Sequence, residues 1–177
     1  SNSSNVLVLN GSAQFNPLAV SDSTVIAGVF RIRIQGYFPD HQIATLNFLT
    51  TFDGYSATTP FIITLNAPEL NIDSYNFVNE SPLIMPGDQP YLNMMISNSG
   101  SGNAYSPMLV LFCDDPNVIL SDSEAYLPSV SAGNIMFCEN VFNVYITNAV
   151  SPGTAINIGY MLSAENGNTI EGNFVLY

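Results

Sequence analysis

The 177-residue sequence has no lysine and no tryptophan, and it contains one histidine, two cysteines and two arginines. Nucleic-acid binding depends on clustered Lys and Arg side chains that neutralise phosphates. Since Arg31 and Arg33 are the only cations in a chain of net charge −12, we expect no nucleic-acid partner, and anionic membrane surfaces are disfavoured for the same reason. His41 is accompanied by no Gly-x-Ser-x-Gly or Cys/His arrangement, so we expect no catalytic residues and no enzyme.

Long apolar runs and charged side chains are also scarce. No apolar stretch approaches the roughly 18 residues that span a bilayer, so membrane insertion is not expected. Hydrophobic residues nevertheless make up 47% of the chain, which is ample for a packed core. Charged residues make up only 9%, so solubility rests largely on Asn, Ser, Thr and Gly. This surface is typical of an extracellular or cell-surface protein.

An internal repeat is the strongest feature that is present. The first 66 residues resemble the last 61 at an offset of 112 to 113. Such self-similarity predicts tandem modules, of which the first lacks its beginning. The aligned segments include Asn5-Val6-Leu7-Val8 with Asn117-Val118-Ile119-Leu120, Phe30-Arg31-Ile32-Arg33-Ile34 with Phe142-Asn143-Val144-Tyr145-Ile146, the turn Asp53-Gly54 with Asn166-Gly167, and Phe61-Ile62-Ile63 with Phe174-Val175-Leu176.

Apolar residues alternate with period two along most of the chain, which predicts strands with one buried face. Phe30, Ile32 and Ile34 should face a core and both arginines should face out. Turn residues separate about four strands in 1–66 and about seven in 67–177, and a proline follows the boundary. The prediction is therefore an all-β fold of tandem immunoglobulin-like β-sandwich modules, with 1–66 the C-terminal part of a first module and 67–177 a complete second module.

The segment from Leu83 to Leu111 resembles a known family. It combines a Pro-Gly turn, an alternating strand, an Asn-x-Gly turn and a nearby alanine, namely Met85-Pro86-Gly87-Asp88, Leu92 to Ile96, Asn98-Ser99-Gly100 and Ala104. This pattern is similar to bacterial adhesion-related sandwich modules of the CARDB type, including those trailing secreted gingipain-like peptidases of Bacteroidetes-type bacteria. The resemblance covers most of 67–177 and implies a stalk, spacer or attachment module without an active site.

Cys113 and Cys138 enclose 24 residues and, in an oxidising compartment, are expected to form one disulfide. The alternative is a pair of buried thiols, because free cysteine is itself a common core residue. There is no Cys-x-x-Cys motif, so neither a redox centre nor a zinc knuckle is indicated.

One acidic cluster offers the oxygen ligands that Ca²⁺ requires. No EF-hand spacing accompanies it, and the alternative is a set of solvated turn residues. The first repeat replaces two of the four acids with Asn10 and Ser12, so a calcium site would belong to the second module alone. No other cofactor is expected. The cluster consists of Asp114, Asp115, Asp122 and Glu124.

Four side chains that we expect at the surface are candidates for an interaction site. Tyr37 and Tyr105 fall beside predicted turns, where their rings either stack on a glycan or pack over the ends of a sandwich. Arg31 and Arg33 point from the same strand face about 7 Å apart. They meet acidic neighbours or solvent, or else contact a partner.

Three functions remain open. The first is a non-catalytic spacer or attachment module pair, the second is a filament subunit assembled by strand donation, and the third is a carbohydrate-binding accessory module. Because four strands do not close a sandwich, we expect other domains of the same polypeptide or neighbouring subunits to cover residues 1–66. The apolar face to be covered carries Phe30, Ile32, Ile34, Leu46 and Phe48.

Overall fold

The computed structural model describes residues 1–80 and 83–177, and in these ranges every regular element is a β-strand. No helix in the described ranges is long and apolar enough to cross a membrane. The chain divides into two compact units, Ser1–Leu65 and Asn66–Tyr177. The strands are β1 (Val6–Asn10), β2 (Arg31–Ile34), β3 (Gln42–Phe52), β4 (Tyr55–Leu65), β5 (Leu70–Val78), β6 (Tyr91–Asn98), β7 (Met108–Phe112), β8 (Val118–Leu120), β9 (Glu124–Tyr126), β10 (Ile135–Ile146), β11 (Ile156–Ser163) and β12 (Thr169–Leu176).

The second unit contains two four-stranded antiparallel sheets that share one core. Their strand orders are β5-β6-β10-β8 and β12-β11-β7-β9. Alternation places one face of each strand inside, as the period-two pattern predicts. The fully buried side chains contributed by both sheets include Leu92, Met94, Ile96, Leu109, Phe142, Val144, Ile158, Leu162 and Phe174.

The first unit contains only two ribbons of two strands each. β1 pairs with β2, and β3 pairs with β4 along eleven residue pairs. Asp53 and Gly54 both have positive φ, which is the geometry that a tight two-residue hairpin requires. Backbone and side-chain hydrogen bonds between Asn2 and Thr45 tie the N-terminal segment to β3.

Both ribbons of the first unit repeat strand pairings of the second unit. Shifting three of the four β1–β2 pairs by 112 positions gives the β8–β10 pairs, so that Val6↔Ile34 becomes Val118↔Ile146. The β3–β4 hairpin repeats β11–β12, with a shift of 112 on the first strand and 113 on the second, as in Leu46↔Phe61 and Ile158↔Phe174. The second hairpin turn is therefore one residue longer.

The repeat extends to backbone conformations in the connecting segments. Three pairs of equivalent residues have positive φ, and four hydrogen bonds recur at the same offset. Each pair contains one glycine and one other residue, so the preference of glycine for positive φ does not by itself explain the matching conformations. The pairs are Ser21 (72°) with Gly133 (70°), Gly28 (70°) with Asn140 (51°), and His41 (58°) with Gly153 (78°). The recurring bonds include Asp22 N to Ala19 O with Asn134 N to Ser131 O, and Gln35 N to Asn5 O with Thr147 N to Asn117 O.

Candidate functional site

Two strand segments of the second unit have no strand counterpart in the first. β9 corresponds to residues 12–14, and the first part of β10 corresponds to residues 23–26, yet residues 11–30 contain no strand. In the second unit these segments pair with β7 and β6. The first unit has no equivalents of β6 and β7 within residues 1–65. Residues 12–14 and 23–26 therefore form no strand in a unit that lacks the strands with which their equivalents pair.

The absence of these partners leaves an apolar face uncovered. Phe30, Ile32 and Ile34 are 49%, 38% and 40% exposed, whereas their equivalents Phe142, Val144 and Ile146 are 1%, 0% and 3% exposed. The expectation that the first three lie in a core is therefore not met within this chain. Leu46 and Phe48 are half-buried. The face has the predicted pattern, but one layer of side chains that would cover it is missing.

The uncovered face forms an open cleft of about 720 Å³ between the two ribbons. Phe30 and Phe48 line it and contact each other edge to face, with ring centroids 5.1 Å apart. Phe48 makes a second edge-to-face contact with Phe61 on β4, at 6.1 Å. Val8, Ile26 and Ile32 also line it, and no charged side chain does. A cleft of this composition suits an apolar occupant. We refer to it below as the first-unit cleft.

The acidic cluster does not converge on a metal site. No group of three His, Cys, Asp or Glu side chains that could hold a metal ion occurs among residues 1–80 and 83–177. Asp114 and Asp115 line one shallow pocket, which neither Asp122 nor Glu124 reaches. Asp115 instead caps a turn, because its Oδ1 accepts hydrogen bonds from Asn117 N and Nδ2. In the first unit Ser3 Oγ accepts the equivalent bond from Asn5 N.

The expected disulfide is not formed, because Cys113 and Cys138 are both free. Cys138 lies on β10 and is buried, whereas Cys113 follows β7 in the other sheet. The Cys113 thiol donates a hydrogen bond to Asn157 O at 3.3 Å. Burial raises the pKa of the Cys138 thiol above its ordinary value. The arrangement corresponds to the alternative of two thiols beside the core.

The candidate interaction residues lie at the surface but in different units. Arg31 and Arg33 on β2 are exposed. Tyr37 and Tyr105 are exposed as well. Tyr37 belongs to the first unit and Tyr105 to the second. The structure therefore shows that all four side chains are exposed, three of them in the first unit and one in the second.

A polar cluster around Asn98 was missed by the sequence reasoning. This side chain is 1% exposed and its amide makes four hydrogen bonds to backbone groups. The Oδ1 atom accepts from Glu69 N at 3.0 Å and Gly100 N at 3.1 Å. The Nδ2 atom donates to Gly102 O at 2.8 Å and Val130 O at 3.0 Å. The Asn-x-Gly signal located this turn, but no sequence pattern indicated a buried amide.

Protein-family models give no match to this chain, and curated proteins give none at a significant level.

Proposed function

We propose that this chain is a non-catalytic pair of immunoglobulin-like modules that serves as a spacer or attachment segment of a secreted or cell-surface bacterial protein. The observation that carries the proposal is the repetition of strand register and turn conformation between the two units. Tandem repeats of a sandwich lengthen a polypeptide without requiring a ligand.

The roles of the polar residues support a structural module. Asp115 and Asn98 satisfy backbone groups at turns. The resemblance of 83–111 to CARDB-type modules points in the same direction, because its motif residues fall at such turns. Close packing at Gly100, whose added Cβ would lie 2.3 Å from Ala67 O, gives one of these glycines a backbone role.

A second candidate is a filament subunit that accepts strands from a neighbour. The first-unit cleft favours it, because donor-strand assembly requires an acceptor with open strand edges and an apolar face. The carbohydrate-binding alternative has weaker support, since Tyr37 and Tyr105 are exposed but stand in separate units.

Negative-stain electron microscopy with sedimentation of the purified chain tests the proposal. We expect discrete particles with the mass of one chain and no hydrolytic activity. Ordered filaments would support the second candidate instead. Glycan binding that is lost in both Tyr37→Ala and Tyr105→Ala, with Tyr126→Ala as an exposed-ring control, would support the third.

A further inference from the structure

We propose that the first-unit cleft is the docking site of a β6–β7-type strand pair, supplied in cis by a further segment of the polypeptide to which these residues belong. The inference rests on the proposed modular function and identifies the partner segment and its register. It follows from comparing what lines the cleft with what fills the equivalent space in the second unit.

The first half of the docking surface is the segment equivalent to β10. In the second unit Cys138 pairs with Met94 and Phe142 with Leu92. Their equivalents at the offset of 112 are Ile26 and Phe30, and both line the first-unit cleft. A β6-type strand would thus lie along residues 23–31 and convert this segment into the missing part of β2.

The β10 bulge adds a polar contact to this half of the surface. Between Cys138 and Phe142 the register shifts, and Asn140 N donates to Asn93 Oδ1 at 2.7 Å. Gly28, the equivalent of Asn140, already has the same left-handed backbone with φ of 70°. The N–H of Gly28 is therefore placed to donate a hydrogen bond to an asparagine side chain of the incoming strand.

The second half of the docking surface is the free edge of β3. In the second unit β7 pairs with residues 159–163 of β11. The equivalents of these five residues are 47–51 on β3, and all five line the first-unit cleft. β3 pairs with no strand but β4 in the first unit, and Asn2 bonds β3 at Thr45, so the edge of β3 along residues 47–51 is open for a β7-type strand.

The chemistry of the occupant follows from the second unit. β6 and β7 contribute six side chains that are at most 2% exposed, of which five are apolar and the sixth is Asn98 at the end of β6. The occupant should therefore present alternating Leu, Met or Ile residues on two adjacent strands, together with one asparagine for the bulge. The five core side chains are Leu92, Met94, Ile96, Leu109 and Leu111.

Charge favours a covalently joined occupant over a second copy of the chain. Residues 66–177 contain eleven carboxylates and no Lys or Arg, whereas residues 1–65 contain three carboxylates and both arginines. The units thus carry formal charges of −11 and −1. Docking a second copy would bring its second unit, of charge −11, against a first unit of charge −1, and charges of the same sign oppose this association. The strands β6 and β7 of a second copy are also already part of its own core.

The test adds the missing strands to the full chain. A copy of residues 67–112 is joined directly to Ser1, because Cys113 is equivalent to Ser1 and the spacing is then preserved. Hydrogen exchange read by mass spectrometry should slow by at least about 100-fold for amides in 23–31 and 47–51 relative to the unextended chain. Sedimentation should give a monomer.

A matched control carries Leu92→Asp and Met94→Asp in the added copy only. It should leave 23–31 and 47–51 as exchangeable as in the unextended chain, while the second unit stays protected and reports intact folding. Unchanged exchange in the extended chain would overturn the docking site, and it would leave the spacer function untouched. A dimer of the unextended chain with 23–31 protected would overturn the cis source and identify a second copy as the occupant.

Discussion

Asn98 stands at the end of β6, where the chain turns sharply and several backbone groups are removed from water. Its amide satisfies two N–H and two C=O groups, and these come from three separate segments of the second unit. A buried polar group without a partner costs about 1–3 kcal/mol, so one side chain that satisfies four groups has a large effect. The Asn-x-Gly turn of the sequence motif therefore has a physical role in the absence of any ligand.

Asn98→Ala should lower the free energy of unfolding of the second unit by about 3 kcal/mol, because it leaves buried donors and acceptors unpaired. Urea unfolding followed by circular dichroism measures this change. The control is Asn71→Ala, whose exposed amide makes one hydrogen bond to Ser99 Oγ, and it should change stability by less than about 0.5 kcal/mol. Equal effects of the two substitutions would contradict the assigned role.

Cys138 provides a second test at the scale of one residue. Burial raises the pKa of its thiol in the folded state above the ordinary value of 9.0. Below pH 9 the thiol is protonated in both states, and its contribution to stability is fully present. As the pH rises past that value the unfolded chain releases the proton first, so stability falls until the folded thiol also ionises.

The measurement is the free energy of unfolding at pH 7.5 and pH 10 for the wild type, Cys138→Ala and Cys113→Ala. The decline with pH should be smaller in Cys138→Ala than in the other two proteins. Alkylation of the denatured, unreduced chain should also add two groups, because both thiols are free. If no alkyl group is added, the two cysteines form the disulfide that the sequence predicts.

Strands and hairpins were the elements most accessible from the sequence, because alternation and turn residues act locally. The Asp53-Gly54 turn was predicted on this basis, and in the structure it connects β3 and β4. The sequence did not decide whether the acidic cluster forms a calcium site or a set of solvated turn residues. Whether Asp115 meets a metal or the N–H of Asn117 depends on the local turn geometry, which neither charge nor spacing specifies.

Gly100 tests the turn at the level of the element. A Cβ built at this position would lie 2.3 Å from Ala67 O and 2.5 Å from Glu69 N, and both are backbone atoms. Gly100→Ala should therefore destabilise the second unit by about 2–3 kcal/mol, as overpacking against a fixed backbone does.

Gly133→Ala serves as the control for Gly100→Ala. A Cβ there meets nothing within 4 Å, but φ is 70°, so the cost should be only about 1 kcal/mol from the left-handed backbone. Thermal melting of both variants gives the comparison. A smaller effect at Gly100 than at Gly133 would show that the 67–69 segment moves to accept the side chain.

At the scale of the whole molecule, the two units differ in how much of their own core they contain. The second unit has eight strands around a shared core, and the first has four strands and an open cleft. The repeat predicted this difference from the sequence. The exposure of Phe30, Ile32 and Ile34 could not be read from their own pattern, because burial depends on strands outside residues 1–65.

Residues 66–177 expressed alone should therefore unfold in one cooperative transition and behave as a monomer. The complete chain should show the same transition, together with rapid amide exchange in the first unit. Differential scanning calorimetry and hydrogen exchange provide the two readouts. Slow exchange throughout residues 1–65 of the monomeric chain would show that four strands suffice for a closed fold.

The position of the two arginines restricts tryptic cleavage to the first unit. Trypsin cleaves after Lys or Arg, and in this chain both such residues lie on β2. Cleavage requires the strand to leave its ladder, so the rate of digestion reports the opening of β2 alone. The second unit contains no target and stays intact within the C-terminal product, residues 34–177. A single protease thus measures the stability of one strand in a 177-residue chain, in the presence of any segment that is thought to cover it.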